Sequence, residues 1–287
     1  MVGHDGYFAE PGIFERVGRV ATPLGHLAYG ASGQGPTVVF LHGNSSAKEI
    51  FARQMVPELT ERYQLLAFDM MGHGDSDDAR TPEEGYGMHA FGTAVMAALD
   101  ALEIEKAAIV GWSMGGHIAL EILARWPGAV AAWITGTPPI DGSAADIGAA
   151  FLPSDHMALT FQAELSEEEI VIFAGNTFGT EVPIEPWMVR AARRADGRFR
   201  PMMLVSAQKG WDLNERRIVA ECDKPLAVVT GEREPFVSNA FLKGLSYRNL
   251  WGGRVHVLPR LGHMPFWESP ETVNPLLGHF LDDVLSA

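Results

Sequence analysis

The sequence predicts an α/β protein with a mostly parallel, eight-stranded sheet and an inserted helical cap. Short apolar runs alternate with amphipathic helical patterns, which is the element order of a doubly wound sheet. Several runs are apolar at nearly every position, as in parallel strands that helices cover on both faces. Residues 141–212 interrupt this alternation, because they lack a convincing buried strand and are rich in helix formers, Met and Phe. We therefore expect a core of residues 1–140 and 213–287 and a cap of residues 141–212.

Four strands are predicted in the N-terminal part. A Pro-Leu-Gly turn joins strands 17–22 and 26–29 into a hairpin. Residues 37–41 are Thr-Val-Val-Phe-Leu and residues 64–69 are Gln-Leu-Leu-Ala-Phe-Asp, so both runs are short and apolar enough to be buried strands. The periodicity of residues 47–62 predicts a helix that connects them.

The alternation continues through the rest of the core. Helix 86–102 precedes strand 106–112, and helix 114–126 ends at a Trp-Pro-Gly sequence, because proline does not continue a helix. Strand 130–136 leads into the cap. The elements after the cap are strands 226–230 and 254–258 and a closing helix over residues 271–285.

The composition limits the class of partner. With 47% hydrophobic and 20% charged residues, 287 residues suffice for one large globular domain with an insertion. The formal net charge of −14 disfavours nucleic acid and anionic membranes, which it repels. Cys222 is the only cysteine, so no disulfide can form within the chain. The first residues lack the basic start and apolar block of a signal peptide, and we expect a cytoplasmic monomer or homodimer.

Residues 106–116 carry the strongest functional signal. An apolar run leads into the G-x-S-x-G sequence of residues 111–115, and a helical pattern begins at once. A strand, a sharp turn and a helix around a serine predict a nucleophile elbow, which holds the hydroxyl of Ser113 above the sheet edge. Gly111 and Gly115 are expected there because side chains would collide with neighbouring elements.

His263 is the predicted general base. It follows the last predicted strand on a loop with a glycine before it and apolar residues beside it, which suits a base with a pKa near the working pH. The acid that orients this histidine should lie between the serine and His263 in the sequence. Glu234, after strand 226–230, is the preferred candidate, and Glu232 and Asp141 are the alternatives.

Two backbone N–H groups are candidates for an oxyanion hole. Asn44 lies in a His-Gly-Asn loop after the third predicted strand, and Met114 begins the helix after the serine. Donors at these places would stabilise the negative charge that develops on an attacked carbonyl. His42 and His73 are expected to be structural, because His263 is the better candidate for the base.

The sequence contains no recognisable metal or cofactor motif. It has no His-x-His pair, no His-Glu-x-x-His sequence, and no phosphate-binding or dinucleotide-binding glycine motif. A serine hydrolase without metal or cofactor is therefore the expected class, acting on a small acyl ester or lactone.

These motifs resemble the α/β-hydrolase superfamily, and the resemblance is closest to the metal-independent N-acyl-homoserine lactonases. It is carried by His-Gly-Asn-Ser-Ser at 42–46, Gly-Trp-Ser-Met-Gly-Gly-His at 111–117, Ile-Thr-Gly-Thr-Pro-Pro at 134–139, Glu-Pro-Phe-Val at 234–237, Asn-Leu-Trp at 249–251 and Gly-His at 262–263. The acid of those enzymes is also a glutamate, which agrees with Glu234. The resemblance implies ring opening of N-acyl-L-homoserine lactones, which silences a bacterial quorum signal.

An acyl substrate also needs an apolar pocket. Gly43 and Trp112 are expected beside the serine, and apolar cap residues are expected to line the pocket or to form the core of the cap: Phe151, Met157, Leu159, Phe161, Ile170, Phe173, Phe178, Trp187 and Met188. Phe173 stands where a tyrosine is expected in the resembling enzymes, so one hydrogen bond to the substrate would be missing.

Several alternatives use the same motifs. A carboxylesterase or enol-lactone hydrolase would have the same triad, and a cofactor-free lyase or dioxygenase of this fold would also use a histidine. A non-catalytic signal receptor on a hydrolase scaffold is a third alternative. Within the lactonase hypothesis, direct attack by water with His263 as base is the alternative to an acyl-enzyme.

Overall fold

The computed structural model describes residues 12–154, 157–176 and 182–285. Its centre is an eight-stranded sheet in the order β1-β2-β4-β3-β5-β6-β7-β8. Strand β2 is antiparallel to both of its neighbours, and the other pairs are parallel, which confirms the mostly parallel sheet predicted from the sequence. The strands are β1 (Arg16–Thr22), β2 (Gly25–Ser32), β3 (Thr37–Leu41), β4 (Gln64–Phe68), β5 (Ala107–Trp112), β6 (Ala129–Thr135), β7 (Leu226–Gly231) and β8 (His256–Leu258).

The described helices are mostly short. They are α1 (Pro57–Thr60), α2 (Pro82–Gly85), α3 (Met88–Ala101), α4 (Met114–Arg125), α5 (Ala144–Ala150), α6 (Glu167–Asn176), α7 (Pro186–Arg194), α8 (Phe199–Gln208), α9 (Glu215–Glu221), α10 (Asn239–Gly244), α11 (Pro265–Glu268) and α12 (Pro270–Leu285). Three 3₁₀ helices span Lys48–Gln54, Met157–Phe161 and Trp251–Gly253. Within the described part of the chain, none of the helices has the length and apolar character needed to cross a membrane.

Two apolar cores lie on opposite faces of the sheet. Helices α3 and α4 cover one face, and the first 3₁₀ helix and α12 cover the other. Along β3, successive side chains alternate between the two cores, which is the side-chain period of a strand. The sheet is therefore buried on both sides. In open sheets of this kind the sites lie at the carboxyl ends of the parallel strands.

Three predicted elements differ from the structure. Strand β2 extends beyond its predicted end to Ser32, because β4 pairs with its C-terminal half. Strand β8 is shorter than predicted, because only three residues of β7 pair with it. The single helix predicted over residues 47–62 is wrong, since a 3₁₀ helix is followed there by α1. Pro57 explains the interruption: the preceding Val56 is extended, with φ −117° and ψ 152°, and proline disfavours helical geometry in the residue before it.

The chain between β6 and β7 is called here the inserted segment, residues 136–225. Its described residues form α5 to α9, a 3₁₀ helix and one isolated bridge between Phe151 and Val237. Val219 of α9 belongs to the same apolar core as α4, so the end of the segment packs on the sheet-covering helices. The boundaries 141 and 212 of a separate cap remain a prediction.

A buried lysine ties the loop after β3 to the loop after β4. The ammonium of Lys48 lies 2.8 Å from Oδ2 of Asp69, 3.0 Å from Oδ2 of Asp75 and 3.0 Å from Oε1 of Glu49. The backbone N–H of Lys48 also donates to Oδ1 of Asp69 over 2.8 Å. One cation thus faces three carboxyl groups, and burial together with the charge of Asp69 raises the pKa of Glu49 to about 7.

Replacing Glu49 with glutamine should alter the pH dependence of stability. The pKa of the Glu49 carboxyl is about 7 in the folded protein and exceeds the ordinary value of 4.5, so protonation of this group favours the folded state. Its contribution to the free energy of unfolding is complete below pH 4.5 and is lost as the pH rises through 7. Glutamine does not titrate and escapes this loss. As the pH is raised from 5 to 8, the free energy of unfolding of Glu49→Gln should therefore increase by about 2 kcal/mol relative to that of the wild type. Urea unfolding of both proteins at the two pH values measures this difference. An equal change in unfolding free energy at both values would contradict it.

Candidate active site

Ser113 lies at a strained turn between β5 and α4. Its φ of +53° and ψ of −120° are rare for a residue with a side chain. The N–H of Ser113 donates to the carbonyl of Thr135 over 2.8 Å, and the hydroxyl of Thr137 donates to the carbonyl of Ser113 over 2.9 Å. Ser113 therefore has the position and backbone conformation that a nucleophile elbow requires.

Two glycines allow this turn to pack closely. A Cβ on Gly111 would lie 2.2 Å from the carbonyl oxygen of Gly115, which is in the first turn of α4. A Cβ on Gly115 would lie 2.0 Å from the carbonyl oxygen of Leu41 at the end of β3. Real Cβ atoms do not approach backbone this closely, so the collisions expected from the sequence are present at both places.

His263 and Glu234 form a buried pair on the loops after β8 and β7. The imidazole Nδ1 lies 2.9 Å from Oε1 and 2.8 Å from Oε2 of the carboxylate. The backbone N–H groups of Phe236 and Val237 also donate to Oε1, over 2.9 and 3.3 Å, and hold the carboxylate in place. When Nδ1–H donates to Glu234, Nε2 of the neutral ring remains an acceptor, which is the tautomer that a general base needs.

The two alternative acids have other partners. Asp141 is exposed and accepts the backbone N–H of Ser143 over 2.8 Å. Hydrogen bonds from the Ser143 hydroxyl and from this N–H hold the pKa of the Asp141 carboxyl below its usual range. Glu232 is also exposed and accepts the backbone N–H of Arg260 over 3.0 Å. Of the three candidate acids, the structure brings Glu234 to the imidazole.

Aromatic residues fix the plane of the His263 ring. The ring of Phe236 meets it edge-on with centroids 5.1 Å apart, and the indole of Trp112 does so at 5.6 Å. The indole N–H of Trp112 donates to the carbonyl of His263 over 3.1 Å. On another side, the imidazole fills the space where a side chain on Gly136 would stand. The ring and Ser113 line the same cavity.

The loop after β3 brings Asn44 to this cavity. The Asn44 amide donates to the carbonyl of Thr160 in the inserted segment over 3.0 Å, and its Oδ1 accepts the hydroxyl of Ser45 over 2.7 Å. Asn44 lines the cavity that Ser113 also lines. Its side chain is thus occupied by protein partners, which leaves the backbone N–H as the group suited to bind an oxyanion.

Met114 and Gly43 border the serine from two sides. Met114 is the first residue of α4, where backbone N–H groups have no acceptor within the helix. A Cβ on Gly43 would lie 2.8 Å from the indole of Trp112 and 3.2 Å from the Cβ of Ser113, so the loop backbone approaches the serine closely. This arrangement can present two donors to a carbonyl oxygen bound beside Ser113.

His42 and His73 are buried and bind backbone groups. Each imidazole donates from Nδ1 to a carbonyl, that of Gly43 over 2.7 Å and that of Met71 over 2.9 Å respectively. Each Nε2 accepts a backbone N–H, from Met70 for His42 and from Ser45 for His73. Burial lowers the pKa of both rings, so both are neutral. Their hydrogen bonds hold the backbone of the loops after β3 and β4, which agrees with the structural role expected for them.

The cavity at Ser113 is mainly apolar. Three of the predicted substrate residues from the inserted segment, Phe151, Met157 and Phe173, line it, and so does Trp112. The complete lining is Asn44, Trp112, Ser113, His117, Gly136, Phe151, Met157, Thr160, Phe173, Phe236, Val237 and His263.

Trp187 and several other predicted lining residues lie elsewhere. Trp187 is buried against Trp267, with ring centroids 5.8 Å apart, and its indole N–H donates to Glu185 over 2.9 Å. Helix α7 directs this side chain into the apolar core between the sheet and α12. Ile170 belongs to a small core of the inserted segment, and Met188 borders a second cavity. Gly43 borders the serine without lining the cavity described above. Phe178 lies outside the described residues. Leu159 and Phe161 do not line the cavity, although Met157 and Thr160 of the same 3₁₀ helix do.

His117 is a cavity residue that sequence reasoning did not select. Its Nδ1 donates to both oxygens of the Glu215 carboxylate, over 2.7 and 2.9 Å. Burial opposes protonation of this ring, but the nearby Glu215 charge prevails and raises its pKa. The spacing of four residues from Ser113 places His117 one helical turn away and is the signal that could have revealed it. The partnership with Glu215, 98 residues later, has no local signal.

Comparison with known protein families agrees with the fold and the nucleophile turn described above. The sequence matches the family model of the alpha/beta hydrolase fold over residues 36–270.

Across the described residues, no group of three or more His, Cys, Asp or Glu side chains is placed to hold a metal ion.

Similar proteins include hydrolases. A mutant of the N-acyl homoserine lactonase AidH complexed with N-hexanoyl homoserine lactone is 36% identical, with a TM-score of 0.90 over 94% of this chain and 98% of that chain. A second AidH structure, complexed with N-butanoyl homoserine, gives the same identity and TM-score. The 2-(acetamidomethylene)succinate hydrolase of Mesorhizobium japonicum is 28% identical over 87% of this chain and 89% of that protein.

Proposed function

This chain belongs to the alpha/beta hydrolase family, and on that premise we propose that it opens the lactone ring of N-acyl-L-homoserine lactones by serine catalysis. The observation that carries the proposal is that Ser113 and His263, whose imidazole is paired with the buried Glu234, line the same apolar cavity. The choice of substrate is supported by the similarity to AidH, whose structures hold N-hexanoyl homoserine lactone or N-butanoyl homoserine. The reaction requires no cofactor.

The first half-reaction forms an acyl-enzyme. His263 Nε2 takes the proton of the Ser113 hydroxyl as its oxygen attacks the lactone carbonyl. The backbone N–H groups of Asn44 and Met114 stabilise the oxyanion of the tetrahedral intermediate. The ring C–O bond then breaks, and the imidazolium gives its proton to the departing ring oxygen, which becomes the homoserine hydroxyl. Glu234 holds the ring orientation and stabilises its charge throughout.

The second half-reaction returns the free enzyme. Water gives a proton to His263 Nε2 and attacks the Ser113 ester, and the same N–H donors stabilise the second intermediate. Its collapse breaks the bond to the serine oxygen, which takes back the proton from His263. The product, an N-acyl homoserine, forms as the carboxylic acid, gives its proton to solvent and leaves as a carboxylate. Trapping the acylated Ser113 by mass spectrometry separates this route from direct attack by water.

A carboxylesterase is the second candidate, favoured by the small apolar cavity, which also accommodates a simple acyl ester. The deciding experiment compares kcat/KM for N-acyl-homoserine lactones of several acyl lengths with p-nitrophenyl esters of the same acyl groups. We expect at least about a tenfold preference for the lactone with the best-fitting acyl chain, because its amide and ring add contacts made in the transition state. A preference for the simple esters at every chain length would favour the esterase.

Chelation should leave the activity unchanged, because all proton transfers and charge stabilisation in this mechanism use protein groups. The measurement is the ring-opening rate before and after dialysis against EDTA, with a metallo-lactonase as the positive control. Loss of activity that zinc restores would contradict the serine mechanism.

A further inference from the structure

A buried arginine stands behind the loop that carries Asn44. Arg200, the second residue of α8, is only 3% exposed. Its Nε and Nη2 both donate to the hydroxyl oxygen of Ser45, over 3.1 and 2.9 Å. That hydroxyl in turn donates to Oδ1 of Asn44 over 2.7 Å. A continuous hydrogen-bond chain therefore links the inserted segment to Asn44.

The link restrains a strained residue. Ser45 has a φ of +54°, a left-handed conformation that costs free energy for a residue with a side chain. Its N–H is held by His73 and its hydroxyl by Arg200, so both polar ends of the residue are fixed. Asn44 precedes this residue, and the direction of its backbone N–H depends on the conformation of the turn.

The guanidinium also brings positive charge to this place, which the nearby negative charge of Asp196 offsets only in part. The acceptors that the described residues offer it are neutral: the Ser45 hydroxyl and the carbonyls of Gln162, Ala163 and Ala192. Burial lowers the pKa of Arg200 to about 10, so the group is still a cation at neutral pH. A fixed positive charge behind the oxyanion loop stabilises negative charge that develops in front of it.

We propose that Arg200 is a positioning residue that holds the Asn44 loop in its catalytic conformation and strengthens the oxyanion hole. Because the same guanidinium binds carbonyls next to the 3₁₀ helix that carries Met157 and Thr160, it also ties the oxyanion loop to the cavity wall of the inserted segment. The inference rests on the proposed serine mechanism.

The test compares Arg200→Gln and Arg200→Lys with the control Arg194→Gln. Arg194 also joins the inserted segment to the core, through Asp78 and the carbonyl of Ser76, but it does not contact the oxyanion loop. For Arg200→Gln we expect kcat to fall by about 30- to 100-fold with KM within about threefold, since the loss affects the transition state. Arg200→Lys keeps the charge, so its kcat should be about tenfold higher than that of Arg200→Gln. Arg194→Gln should keep kcat within about twofold.

A second readout separates positioning from mere folding. Pentylboronic acid forms an anionic tetrahedral adduct with an active serine, so its inhibition constant should rise in Arg200→Gln by about the same factor as kcat falls. Unchanged kcat and boronate affinity in folded Arg200→Gln protein would overturn the inference. If that variant does not fold, Ser45→Ala serves instead, since it breaks the hydrogen-bond chain and keeps the arginine; we expect about a tenfold loss in kcat, and no loss overturns the inference. A wild-type protein that cleaves neither lactones nor esters would refute the proposed function itself.

Discussion

Replacing Ser113 with alanine should lower kcat for lactone opening by about 10⁴- to 10⁶-fold. In the proposed mechanism the hydroxyl oxygen attacks the carbonyl, so without it the His263–Glu234 pair has no protein nucleophile to deprotonate. The substitution removes one oxygen beside a cavity and leaves the packing of Gly111 and Gly115 intact, so the unfolding free energy should stay close to that of the wild type. Steady-state kinetics with the best lactone and urea unfolding measure the two quantities.

The outcome distinguishes nucleophilic from water-based catalysis. A loss of less than about tenfold would show that Ser113 is not the nucleophile and would favour direct attack by water with His263 as base. In the serine mechanism, wild-type protein mixed with a p-nitrophenyl ester releases a burst of nitrophenol when deacylation is slow, and Ser113→Ala releases none.

Replacing Glu234 with glutamine should lower kcat by about 10³- to 10⁴-fold. The amide keeps the size of the side chain, but it lacks the charge that stabilises the imidazolium and can present its NH₂ to Nδ1, which favours the wrong tautomer. The loss should be largest in kcat, because the imidazolium exists only after the proton leaves Ser113. Kinetics at several pH values check that the loss is not a shift of the pH optimum.

Asp141→Asn and Glu232→Gln are the matched controls for this substitution. Both carboxylates are exposed and accept local backbone N–H groups, so their neutral analogues should keep kcat within about twofold. If Asp141→Asn were more damaging than Glu234→Gln, the acid of the triad would have to be reassigned. Equal small effects of all three substitutions would remove the acid from the mechanism.

The length of the Glu234 side chain has a visible compensation. Glutamate is one methylene longer than the aspartate usual in this place, so its loop must hold the carboxylate at a suitable depth. The N–H groups of Phe236 and Val237 do this by donating to Oε1 while both carboxylate oxygens face the imidazole. The Phe236 ring also packs on His263, so the same short turn orients both members of the pair.

Local sequence patterns predicted much of the fold. The eight strands, the nucleophile turn and the helices on either side follow from apolar periodicity and from glycine and proline positions, which depend on near neighbours in the chain. The helix predicted over residues 47–62 was wrong because Val56 adopts the extended conformation that Pro57 imposes. The prediction followed the apolar periodicity and gave this local effect of proline too little weight. Trp187 shows a different limit: its apolar character indicated burial, and the fold decided which core it enters.

The sequence by itself determined the fold class, the turn that holds Ser113 and the candidates for its base and acid, because each depends on residues within a few positions of one another. Only the tertiary structure decided that Glu234 and not Asp141 meets the imidazole, that His117 faces the cavity with Glu215 as its partner, and that Arg200 binds the hydroxyl of Ser45 beside Asn44. These pairings join residues 29, 98 and 155 positions apart, and long-range packing selects among the candidates. The hydrogen bonds between them form only when the strands and the inserted segment have brought their ends together.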